Sequence, residues 1–128
     1  MEIRSLQSIL LGYAYVLSTL LIGITACKGV DCGNIIKRKY NNYDEIIKVI
    51  EDANFVFTDD CETNKSSWIR DAKFYSCDNK KGYLLIRTDN ETYIHKSVPK
   101  KIWFEFKKSS SFGGYYNRKV RYRYQLRL

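Results

Sequence analysis

His95–Tyr124 reads HKSVPKKIWFEFKKSSSFGGYYNRKVRYRY and holds the only proline of the chain. The apolar period changes at that proline. Thr92 to Lys96 is strand-like, whereas Pro99, Ile102, Trp103 and Phe106 fall at i, i+3, i+4 and i+7, which predicts a helix over about residues 99–108. Proline at the first helical position loses no needed N–H and presets the backbone for helix entry. Lys100, Lys101, Lys107 and Lys108 point away from the apolar face, and the later pair suits the negative helix end. Gly113-Gly114 are expected to stop the helical run, since glycine adopts a left-handed cap without strain. Such a one-faced helix needs a sheet to lie on.

The residues upstream supply it. Tyr83 to Thr88 is the clearest strand, joined by a short turn at Asp89-Asn90 to Thr92–Lys96, and Trp68 to Ser76 alternates roughly before the turn Cys77–Gly82. Phe55–Thr58 is a further β-like run, expected to end in a polar loop at Asp59–Glu62. Ile46, Ile47, Val49, Ile50 and Ala53 form the stripe of a short helix over about 43–53, capped by Asn42 or Asp44. From Lys119 on, Val120, Tyr122, Tyr124, Leu126 and Leu128 alternate with Lys119, Arg121, Arg123, Gln125 and Arg127, a strand pattern competing with a helical turn at Tyr116–Arg121. The fold class is α+β. It is a small antiparallel β-meander packed by one main helix, with a short N-terminal helix and a C-terminal strand or short helix, in a single domain over 43–128.

Charge is distributed unevenly along the 128 residues, whose net formal charge is +8. Residues 96–128 carry ten basic residues against Glu105 alone, so the excess belongs to the last quarter. That asymmetry points to an anionic partner: nucleic acid, phospholipid or an acidic protein.

Ser8–Ala26 contain no ionisable residue other than tyrosine, which marks residues 1–26 as a signal peptide or membrane segment, followed by a tether over 27–42. Ile24-Thr25-Ala26-Cys27 resembles the lipobox of bacterial lipoproteins, which would make Cys27 the lipidated residue. A retained helix or a simple secretory signal are the alternatives. By the same resemblance, Lys28 points to the outer membrane, facing the periplasm, so the expected location is the cell envelope. With Cys27 set aside, Cys32, Cys61 and Cys77 leave one disulfide and one thiol. Cys61 with Cys77 and Cys32 with Cys61 both remain open. Zinc is disfavoured without a Cys-x-x-Cys pair and with His95 as the only histidine, and Asp59, Asp60 and Glu62 match no metal-loop spacing.

Ser66-Ser67-Trp68-Ile69, Tyr75, Leu84–Thr88, Tyr93, Val98-Pro99, Trp103, Phe106, Ser110–Asn117, Val120-Arg121 and Tyr124 follow one another in an order that resembles the KTSC domain. That module ends some lysyl-tRNA synthetases and also stands alone in bacteria. The resemblance covers residues 66–124 and implies no catalytic residues, with RNA binding the role suggested for relatives. Where the family has a central Tyr-x-Tyr, this chain has Tyr93-Ile94-His95.

Three function classes follow. A binding module would use Tyr93, His95, Tyr115, Tyr116, Asn117, Arg118, Lys119, Arg121 and Arg123, with rings to stack on bases and cations to neutralise phosphate. The same cations serve an anionic membrane surface or an acidic envelope partner, which the export segment favours over RNA. An uncleaved single-span protein with a structural role is a further alternative. Catalysis is disfavoured: His95 has no partner in a nucleophile motif, no paired carboxylates sit on a predicted pocket, and no cofactor fingerprint occurs.

Overall fold

The structure is a computed structural model that describes residues 30–128. The expected signal or membrane segment at 1–26 and the lipidation at Cys27 lie outside the described residues. Among the described residues, no helix is long and apolar enough to cross a membrane.

A four-stranded antiparallel sheet in chain order forms the centre, from β1 (Phe57–Cys61), β2 (Asp71–Ser76), β3 (Lys81–Arg87) and β4 (Thr92–Pro99). Its third strand explains the layering. Tyr83, Leu84, Leu85 and Ile86 are consecutive and all buried, which requires cover on both faces because successive side chains point to opposite sides. Leu84 and Ile86 join Ala72, Phe74 and Val98 beneath helix α2 (Lys100–Lys108) and the C-terminal turn. Tyr83 and Leu85 join Ile94 beneath helix α1 (Tyr43–Asp52) and the segment around Cys32 and Ile35. The α+β architecture is thus a sheet between two helical layers.

Helices α1 and α2 form where the sequence places their signals. The Asn42 side chain accepts from the Glu45 N–H at 2.9 Å, and the Glu45 carboxylate accepts from the Asn41 N–H at 3.0 Å, so donors on both sides of the α1 entry are satisfied. Pro99 is the N-cap of α2, one place earlier than the first helical position expected for it. Trp103 and Phe106 form the buried α2 face, and the Trp103 ring stacks on Phe74 at 5.6 Å and on Phe106 at 5.8 Å.

Several expectations are corrected. Asp59-Asp60-Cys61 is strand β1 rather than a loop, in register with β2 from Phe57↔Ser76 to Cys61↔Ala72. The charge is tolerated because Asp60 points to solvent while Asp59 accepts hydrogen bonds from Trp103 Nε1 at 2.8 Å and Lys107 Nζ at 2.7 Å. Burial alone would raise the Asp59 carboxyl, but those two donors outweigh it and leave it below the ordinary carboxylate range. Gly113 and Gly114 do not stop a helix. They lie inside helix α3 (Phe112–Tyr115), neither with a positive φ, and α3 runs directly into a π-helical turn at Tyr116–Val120. Of the two C-terminal alternatives the helical one holds over 116–120, and the strand pattern survives only as the His95↔Gln125 bridge on the edge of β4.

The cysteines pair otherwise than expected. Cys32 is bonded to Cys77 with a Cα–Cα distance of 5.8 Å, and Cys61 is a buried free thiol. The pairings Cys61 with Cys77 and Cys32 with Cys61 are both overturned. Cys61 sits on the α2 side of the sheet, whereas Cys32 and Cys77 belong to the α1 side, so the sheet itself separates them. The stretch 30–40 is also no simple tether, since Cys32 and Ile35 are buried in the α1 layer.

Candidate functional site

The basic C-terminal segment is shaped by what it buries. Ser111 caps α3 by accepting from the Gly114 N–H at 3.1 Å. At Gly113 a Cβ would run into the Trp68 indole, so only glycine allows α3 to sit this close to the Ser66–Ile69 loop. Tyr115, Tyr116 and Val120 turn inward onto the α2 core. What remains outward is Asn117, Arg118, Lys119, Arg121, Tyr122 and Arg123, all exposed, with Tyr122 at 76% exposure. None of these four cations makes an ion pair with a carboxylate among the described residues. Arg121 instead meets Asn117 Oδ1 at 3.5 Å and lies over the Tyr122 ring at 5.2 Å.

The aromatic candidates divide differently. Tyr115 is buried and donates to Glu105 at 2.7 Å; burial first, and that bond second, push its hydroxyl pKa up. Tyr116 is buried, and burial pushes its pKa up to about 12. His95 is fully buried between the Leu84 carbonyl, 3.1 Å from Nδ1, and the Tyr116 hydroxyl, 3.1 Å from Nε2. A carbonyl only accepts, so Nδ1 carries the proton and Nε2 accepts from Tyr116. No edge or face of these three rings is left for a base. Tyr93 lies half-buried at the sheet edge and donates to Glu91 at 2.6 Å. Asn117, Arg118, Lys119, Arg121 and Arg123 are thus each exposed on the C-terminal turn, whereas His95, Tyr115 and Tyr116 are buried in the core.

The His95 environment has a measurable consequence. Burial pushes its pKa from 6.5 down to about 4, with the Leu84 hydrogen bond opposing. Between these pH values the unfolded chain takes up a proton that the fold refuses, so stability is full above about pH 6.5 and falls as the pH approaches 4. Linkage gives a loss of about 3 kcal/mol over that window. Asp59, Asp78 and Asp89, held below the ordinary carboxylate range, lose their contribution only at lower pH. Urea unfolding at pH 7, 5.5 and 4.5 should show the decline in the wild type and a flat response in His95→Gln. A wild type equally stable at pH 7 and 4.5 would contradict the buried neutral imidazole.

Two features of this region are not legible in the sequence. Tyr122 falls on the apolar side of the alternation from Lys119, but the helical turn before it places its ring in solvent. A polar cleft of about 290 Å³ also gathers Lys65, Ser66, Ser67, Ser110, Ser111 and Asn117. Its only advance signal was the recurrence of serine in the family motif. Ser66 Oγ is occupied by the Ile69 N–H at 3.0 Å and Ser111 Oγ by Gly114, and no histidine or carboxylate lines the cleft to activate a hydroxyl. Asp31 with Cys32 and Cys77 would have metal-ligand spacing, but the two sulfurs are bonded to each other rather than present as thiolates.

No curated protein and no solved structure matches the chain. The span that carries the Ser66-Ser67 turn, the meander β2–β4, the Pro99-capped helix and the Gly113-to-Tyr124 turn does have a match: residues 65–124 fit the KTSC domain family.

Proposed function

We propose that the protein is a non-catalytic module that docks on an anionic membrane surface through the turn Asn117–Arg123 while held in the cell envelope by its N-terminal segment. The observation that carries this reading is the set of four exposed cations, Arg118, Lys119, Arg121 and Arg123, without a paired carboxylate among the described residues and with Tyr122 exposed among them. Cations near an anionic lipid surface contribute about 1 kcal/mol each at low salt, and an amphipathic tyrosine ring suits the headgroup level. The Cys32–Cys77 disulfide favours an oxidising, exported compartment, in keeping with the lipobox-like Cys27 and with Lys28 as an outer-membrane signal. Nucleic acid is disfavoured because His95, Tyr115 and Tyr116 are committed to the core.

Protein beginning at Val30 is expected to float with phosphatidylglycerol vesicles at low salt and to be released by salt. Alanine at Arg118, Lys119, Arg121 or Arg123 should each weaken binding about fivefold. Salt-independent binding or none at all would overturn the membrane reading, and tighter, steeply salt-dependent binding to single-stranded RNA would replace it with the nucleic-acid one. The tether is read by palmitate labelling, expected in the wild type and lost in Cys27→Ser.

A further inference from the structure

The chain is fixed to the domain from the first described residues. The Val30 carbonyl accepts from the Asn54 N–H at 3.2 Å, Asp31 bridges to Asn54, and Cys32 is bonded to Cys77. Little slack therefore separates the N-terminal segment from the α1 layer. Val30 follows Cys27 by three residues and Ala26 by four, which fully extended span at most about 11 and 14 Å. That reach is little more than the Debye length of about 8–10 Å over which charges near a membrane act. With either a lipid on Cys27 or a retained helix ending at Ala26, the side of the domain around Cys32 must stay beside the bilayer.

That side carries apolar side chains in solvent. Ile36, 68% exposed, borders the same groove as Leu128, 59% exposed. The Leu128 N–H donates to the Tyr43 hydroxyl at 3.4 Å, which adds the exposed Tyr43 ring at the start of α1. Three of the six large apolar side chains exposed among the described residues are thus neighbours. A single exposed isoleucine would need no explanation, but a group of them on one side does. Cations border the group. Lys37, Arg38 and Lys39 follow Ile36 directly and are all exposed, and Lys96 and Arg127 line its groove. None of these five pairs with a carboxylate among the described residues. Against them stand Asp31, Asp44 and Glu45, so positive charge prevails around Ile36 even counting a carboxylate at Leu128. Apolar side chains rimmed by lysine and arginine are what an interfacial membrane contact requires.

We propose that Ile36 and Leu128, with the Tyr43 ring beside them, insert at the headgroup level of an anionic phospholipid bilayer while Lys37, Arg38 and Lys39 lie against the lipid phosphates. The tethered domain then stands on its α1 side. This proposal rests on the N-terminal segment being held in the membrane, and not on the turn Asn117–Arg123, whose inward residues Tyr116 and Val120 belong to the opposite layer. The two contacts border one sheet edge, since the Lys96 N–H of β4 donates to the Tyr124 carbonyl at 2.8 Å.

The test uses the full chain in vesicles of phosphatidylcholine and phosphatidylglycerol whose acyl chains carry bromine, a contact quencher of tryptophan. Trp68 and Trp103, the only tryptophans of the chain, set the background. Ile36→Trp should add an emission that the brominated lipid quenches, whereas Asp60→Trp, on the edge strand β1 opposite β4, should add one that it does not. In the Ile36→Trp protein, alanine at Lys37, Arg38 or Lys39 should each lower the ratio of docked to undocked domain about fivefold at low salt. Alanine at Arg118, Lys119, Arg121 and Arg123 together should leave the quenching in place. Flotation of the vesicles through a high-salt wash reads the tether separately. A chain that floats while Ile36→Trp is quenched no more than Asp60→Trp overturns the inserted patch and leaves the tether standing, whereas a chain that does not float overturns both. Quenching indifferent to Lys37, Arg38 and Lys39, or abolished by removing the four turn cations, would also overturn the proposal.

Discussion

Trp103→Ala is expected to remove about 4 kcal/mol of stability, within the range for deleting a fully buried large aromatic side chain. The site cannot collapse easily. The indole lies between the Phe74 and Phe106 rings, on a helix anchored at its start by the hydrogen bond from the Lys100 N–H to the Lys80 carbonyl at 2.8 Å. The mutation also strips Asp59 of one of its two side-chain donors, leaving Lys107 alone to hold a partly buried carboxylate inside a strand. Trp103→Phe separates the two effects. It keeps most of the ring and loses only the N–H, so it should cost about 1–2 kcal/mol, chiefly the desolvation of the abandoned carboxylate lone pair. Urea unfolding followed by near-ultraviolet circular dichroism measures both. For a domain of ordinary stability, 5–15 kcal/mol, the alanine variant loses a large fraction of its margin. Equally mild effects of the two substitutions would contradict the packing of α2 on the sheet.

The contrast between Trp103 and Asp59 also explains which parts of the fold a reader of the sequence could find. Trp103 announces itself through spacing with Pro99, Ile102 and Phe106, because the helix period is local. Tyr83–Ile86 announces a strand for the same reason, bounded by turn residues at either end. Asp59 and Asp60 read as a loop because strand propensity penalises aspartate, and the donors that make Asp59 acceptable lie 44 and 48 residues further on. Gly113 illustrates the same limit. A Gly-Gly pair after a helix signals a cap, yet here the selecting force is the approach of Trp68 from another loop. At the C-terminus, alternation from Lys119 competed with the Tyr116-to-Val120 spacing. The inward packing of Tyr116 and Val120 on the α2 side decided for the helical turn, a matter of tertiary burial. The candidate surface was legible in its charges and misleading in its rings. Arg and Lys seldom bury, so Arg118, Lys119, Arg121 and Arg123 could be placed outside from composition, whereas tyrosine is intermediate and its position depends on the partners it finds.

Loss of the Cys32–Cys77 bond is expected to have a comparably large effect, distributed differently. The sequence separation is 45 residues, for which the chain-entropy model gives about 4 kcal/mol and the usual measured range is about 2–4 kcal/mol. The bond joins the outer segment at Cys32, beside α1, to the end of β2, and beyond it the N-terminal layer is held by Ile35, Ile46 and Ile50 against Tyr83, Leu85 and Ile94, with one backbone bridge between Asp31 and Asn54. The opposite layer has its own large aromatic core around Trp103, Phe106 and Tyr116, untouched by the bond. Reduction should therefore loosen one layer before the other. In Cys32→Ser with Cys77→Ser, hydrogen exchange at the amides of Ile46 and Ile50 is expected to quicken well before that at Phe106, the behaviour of a sub-global unit with its own opening free energy. Alkylation of denatured, unreduced protein should modify Cys61 and spare Cys32 and Cys77, which become reactive only after reductant. Equal acceleration of exchange in both layers would mean that the molecule opens as one cooperative unit, and labelling of Cys32 without reductant would remove the bond itself.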